Sequence, residues 1–127
     1  MNRAARFALA IALAPLSLRS PASAQQMEYG TTLICDTQAQ VERYITLFNG
    51  EAQTTVNQLN AEEQNPNACE LGTVAYLRGP EIKTTRTPTR AYQIFRILVV
   101  GLETSSGVQR VQPASFFTLV EIREFAV

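Results

Sequence analysis

The chain has 127 residues, with eleven lysines and arginines set against eleven aspartates and glutamates, two cysteines and no histidine. That length builds one domain, and the even charge balance excludes a general nucleic-acid binder. The lack of histidine excludes the usual Ser-His and Cys-His nucleophile pairs and the histidine-containing zinc and iron sites.

Along the chain, Arg3 and Arg6 give a basic start and an apolar run follows from Phe7 to Leu18. Ser20-Pro21-Ala22-Ser23-Ala24 then supplies an Ala-x-Ala site. These are the three parts of a cleavable secretory signal peptide over residues 1–24. A membrane anchor is the alternative, but a spanning helix needs ~20 apolar residues, and this run is shorter and broken by Pro15. The expected product is residues 25–127, a single domain with no membrane span, periplasmic or secreted. Removing the signal takes away Arg3, Arg6 and Arg19, so eight basic residues face eleven acidic ones, a net charge of −3. Acids dominate up to Glu70 and bases dominate after it. In an oxidising compartment Cys35 and Cys69 are expected to form a disulfide rather than remain as buried thiols.

Thr31-Thr32-Leu33-Ile34-Cys35 is β-branched and apolar and reads as a short strand. Thr37 followed by Gln40 predicts a capping box at the start of a helix. Val41, Tyr44, Ile45 and Phe48 give that helix one apolar stripe, and Asn49-Gly50 ends it. A weaker second helix is expected over 52–62, with Ala52, Val56 and Leu59 on one side. After the turn Asn65-Pro66-Asn67 and Cys69, the pattern changes from helical to alternating. Strands are expected over 73–77, ending at Gly79-Pro80; over 91–100; over 108–111, stopped by Pro113; and over 116–125. The fold class predicted is α+β: two N-terminal helices packed on a mostly antiparallel sheet or half-open barrel of about four to five strands.

Several chemistries have no support in the pattern. A Ser-Lys dyad would need Lys83, the only lysine, and nothing in the spacing brings a serine to it. No Gly-rich phosphate loop, dinucleotide fingerprint or calcium loop is present, so no cofactor is expected. Glu62 and Glu63 are adjacent and point apart on a helix, which suits a solvated helix end better than a catalytic pair.

One segment stands out as more than structural. Residues 78–96 hold Arg78, Lys83, Arg86, Arg90 and Arg96 against the single acid Glu81. Its centre is rich in threonine hydroxyls, and Pro88 stiffens it. Arginine forks onto carboxylate and phosphate groups. Arg78, Lys83, Arg86 and Arg90 are therefore the candidate residues for binding an anionic envelope component or an envelope protein. The plain alternative is a solvated hairpin.

The stretch from Ile34-Cys35-Asp36-Thr37 to Tyr44, then Asn60-Ala61-Glu62-Glu63, Asn65-Pro66-Asn67-Ala68-Cys69 and Ala75-Tyr76-Leu77-Arg78-Gly79-Pro80-Glu81, resembles a family of small exported Gram-negative bacterial proteins without an assigned activity. The resemblance implies export and a paired-cysteine domain, and nothing catalytic. The expected function is a non-enzymatic binding or accessory protein of the cell envelope. The alternative is a small enzyme inhibitor or a carboxylate-dependent hydrolase.

Overall fold

The computed structural model describes residues 26–123, so the expected signal peptide over 1–24 and Phe125 lie outside the described residues. Strand β1 (Met27–Cys35) comes first, then helices α1 (Gln38–Leu47) and α2 (Ala52–Glu63). Strands β2 (Cys69–Arg86), β3 (Ala91–Thr104) and β4 (Gly107–Ile122) follow. Each strand pairs antiparallel with the next, and β1 meets β4 at Cys35–Phe117, which closes the sheet into a barrel. A hydroxyl pair, Thr32 with Thr118 at 2.8 Å, spans the same seam.

The helices are therefore not N-terminal, which corrects the predicted fold class. They are an insert between β1 and β2, and β1 is a full-length member of the sheet. It runs in register with β2 from Met27–Leu77 to Cys35–Cys69. The strand boundaries beside the prolines differ for one shared reason. Gly79-Pro80 and Pro113 read as strand stops because proline cannot donate to a ladder. Both instead lie in bulges of continuous strands. The β2–β3 register shifts between Arg78 and Glu81, and the β3–β4 register shifts between Val99 and Gly101. A bulge removes the need for the missing N–H and bends the strand, which helps the sheet curl. Gly79 is also required sterically: a Cβ there would stand 2.8 Å from the Arg96 carbonyl oxygen.

Alternation along the strands divides the core in two. Leu33, Cys35, Cys69, Tyr92 and Ile94 point to the helical layer, where Val41, Tyr44, Ile45, Val56 and Leu59 cover them. Ile34, Val74, Tyr76, Phe95, Ile97 and Val99 point into the curl of the sheet, with Val111, Phe116 and Val120 against them. This is why β3 reads as apolar on both faces: each face has its own cover. Cys35 and Cys69 are opposite each other across β1 and β2, fully buried and joined as a disulfide.

The start of α1 follows its sequence signal, while the helix ends at Leu47 with Phe48 as its C-cap, just before the expected stop at Asn49-Gly50. Thr37 caps α1 as a capping box: its hydroxyl accepts from the Gln40 N–H at 3.2 Å, and the Gln40 side chain accepts from the Thr37 N–H at 3.0 Å. Glu51 caps α2, accepting from the N–H groups of Thr54 and Gln53 at 2.8 and 3.2 Å. Asn60 then ties α2 to β2. Its amide oxygen accepts from the Cys69 N–H at 2.9 Å, and its amide nitrogen donates to the Cys69 carbonyl at 2.9 Å.

Three carboxylates make the fold acid-sensitive. Glu42 is held below its ordinary 4.5 by the Gln38 amide and then by Lys83. Glu51 is lowered from 4.5 by the Thr54 hydroxyl and the first α2 amides, and Glu62 by Arg43. The folded chain releases these protons more readily than the unfolded chain. Their stabilisation is complete above about pH 4.5 and is lost as pH falls through the lowered folded values. The thermal midpoint, followed by circular dichroism, should hold steady from about pH 8 to 6, where no histidine titrates, and fall between about pH 5 and 3. A midpoint that rises on acidification would contradict this reading.

Candidate functional site

The β2–β3 hairpin tip carries the predicted basic residues, and the structure spreads them apart. Only Thr87-Pro88-Thr89-Arg90 forms the turn, closed by the Thr87 N–H donating to the Arg90 carbonyl at 2.7 Å. Arg78 lies well back along β2, where its guanidinium grips Glu28 with two bonds of 2.8 and 2.7 Å. It also stacks 4.7 Å from the centroid of the Phe95 ring. The Glu28 bonds hold the Arg78 guanidinium above its ordinary value, so it stays charged throughout. Lys83 reaches α1 and donates to Glu42 at 3.1 Å. Arg90 donates to Glu121 at 2.9 Å and lies 5.6 Å from the Phe48 ring centroid. Arg86 ends β2 and has interactions of its own. The four candidates therefore do not converge: Arg78 and Lys83 tie β2 to β1 and α1, while Arg86 and Arg90 stay near the turn.

Glu62 and Glu63 each bond a different side chain of α1. Glu62 forks onto Arg43 with two 2.8 Å bonds, and Glu63 accepts from the Gln40 amide at 2.9 Å. Both fasten α2 to α1. Among the described residues, no three Cys, Asp or Glu side chains gather as a metal site.

Two concavities mark opposite ends of β2 and β3. One, of about 540 Å³, lies at the hairpin tip and is bordered by Arg86, Arg90, Arg123 and Glu121. The other opens at the far end, where β1 leaves the sheet toward α1. Its cavity volume is about 280 Å³. Ile34, Val74, Val99, Leu102, Val111 and Phe116 form its apolar wall, and exposed Asp36, Glu70, Asn67 and Gln112 border it on the solvent side. The register explains the placement. Glu70 is opposite Ile34, and the ladder carries one bond further, from the Asp36 N–H to the Ala68 carbonyl at 3.0 Å. Asp36 and Glu70 are thus diagonal neighbours on one face, about 7–8 Å apart by ladder geometry.

Sequence reasoning missed this cavity. Its walls come from all four strands, and the three-residue stretch of β4 that bulges opposite Val100 decides its shape. Alternation at Val74, Val99 and Phe116 signals an inward face but not an unfilled end.

The fold and this concavity define a class, a small four-stranded antiparallel barrel with a two-helix insert and an apolar mouth. No protein-family model, curated protein or solved structure matches the chain. Among the described residues, no helix is long and apolar enough to cross a membrane.

Proposed function

We propose that this is an exported, non-enzymatic binding protein of the cell envelope, and that its ligand enters the apolar mouth of the barrel. The observation that carries the reading is the 280 Å³ cavity with Ile34, Val74, Val99 and Phe116 on its wall. Ligand sites are concave, mostly apolar and bordered by a few polar groups, with volumes from about 300 Å³ upward. At about 280 Å³ this cavity falls just below that range, so it takes a small molecule or one apolar group of a larger one. The buried disulfide is compatible with an oxidising compartment.

A neutral fluorescent probe, N-phenyl-1-naphthylamine, tests the reading. Its emission should rise on titration with the chain. Ala114 is exposed and borders the same cavity, so Ala114→Phe fills the mouth without disturbing the core. Probe affinity should fall about tenfold or more, equivalent to losing roughly 1.4 kcal/mol of apolar burial. Equal binding by both chains, with circular dichroism showing both folded, would sink the proposal.

A second reading rests on the hairpin tip, where Arg86, Arg90 and Arg123 border one concavity. Guanidinium groups around a concave surface suit an anionic envelope component or an acidic face of an envelope protein. Here Arg86→Glu with Arg90→Glu should abolish capture of a partner from envelope extract on the oxidised chain. Undiminished capture by the charge-reversed chain would remove the tip from consideration.

A further inference from the structure

The two carboxylates at the mouth select the chemistry of the ligand. Every other carboxylate among the described residues meets an internal donor, as at Glu28–Arg78, Glu81–Gln93 and Glu121–Arg90. Asp36 and Glu70 have no such partner among the described residues, and both border the apolar cavity. The molecule thus satisfies its acids wherever a cation or amide can reach, and leaves two unsatisfied side by side at the opening of its apolar concavity. No basic side chain contributes to the border of this cavity.

On the reading that the mouth binds a ligand, we propose that the ligand is a small cationic amphiphile: a short aliphatic body with a protonated amine head. The aliphatic body packs on Ile34, Val74, Val99 and Phe116. The ammonium stays at the surface, where the Asp36 and Glu70 carboxylates accept its hydrogen bonds and the side-chain oxygens of Asn67 and Gln112 are placed to accept more. An ammonium head keeps most of its hydration in this position, so the apolar wall supplies the larger part of the affinity and the carboxylates supply the discrimination. An anionic head of the same length would meet two like charges.

Three probes of one chain length separate the terms: octylamine, octanol and octanoate at neutral pH and low salt. Titration calorimetry gives the affinities, and amide chemical shifts at Val74, Val99 and Val111 locate the site. Octylamine should bind about three- to tenfold tighter than octanol, the range for two exposed charge contacts, with octanoate weakest. Asp36→Asn with Glu70→Gln should bring octylamine down to the octanol value and leave octanol unchanged. Raising the salt should shrink the same gap. If octanol and octylamine bind equally and Ala114→Phe weakens both, the cavity reading stands and the cationic selection is overturned. If octanoate binds best, the selection is overturned outright. If none of the three binds, or Ala114→Phe leaves binding intact, the mouth is not a ligand site and both proposals fall.

Discussion

Replacing Cys35 and Cys69 together with alanine should destabilise the domain by about 3–4 kcal/mol, through the unfolded state more than the folded one. The bond joins residues 34 apart in sequence. The chain-entropy relation gives about 3 kcal/mol for a 15-residue loop and about 4.7 for a 100-residue loop, and this loop falls between. Both cysteines are fully buried in the helix-facing core, so the alanines also leave a small void there. Urea unfolding of the oxidised chain and the double variant would read the effect as a midpoint lower by roughly 2 M, for a slope of about 1.5–2 kcal/mol per M. An unchanged midpoint would mean that the helical insert already confines β1 against β2 without the bond. Reduction of the native chain should match the variant in direction.

Leu59→Ala should cost about 2–5 kcal/mol. Leu59 is fully buried, and it shares the buried side of α2 with Thr55 and Val56 alone. Thr55 contributes little apolar area, because its hydroxyl is turned to the Glu51 carbonyl at 2.8 Å. Leu59 and Val56 therefore carry the apolar attachment of α2, and Leu59 is the larger of the two. Leu59→Met, which keeps the volume, should cost less than about 1.5 kcal/mol. Amide exchange distinguishes local from global loss. Protection should drop first in α2, while the β3–β4 pair keeps its own until global unfolding. Uniform loss across the sheet would show that the helical layer and the barrel unfold as one unit.

The sequence made the helices legible because their signals are local. Thr37 and Gln40 are three residues apart and cap α1 as their types require. Val41, Tyr44 and Ile45 mark the buried stripe at helical spacing. The cysteine pairing was legible because two cysteines in one domain leave one partner choice. The strand ends were not legible. Whether a proline ends a strand or lies in a bulge depends on the neighbouring strand, and at Pro80 and Pro113 that neighbour is β3. The spread of the basic segment was not legible for a related reason. Its charges are close in sequence, but their acidic partners Glu28, Glu42 and Glu121 are distant in sequence and near in space. The mouth of the barrel is set by where four strands stop covering one another, which composition and period do not record.

The insertion of α1 and α2 between β1 and β2 divides the sheet by sequence distance. The β2–β3 and β3–β4 neighbours are joined by tight turns, whereas the whole helical pair lies between Cys35 and Cys69 in sequence. Short loops close early and long ones close late. The three-stranded meander thus closes at less entropic cost than the β1–β2 ladder. Cys35 is at once the end of the β1–β2 ladder and the residue that meets Phe117 on β4. Because the Cys35–Cys69 bond also persists in the unfolded oxidised chain, it offsets that difference: β1 stays tethered to β2 before either strand is seated.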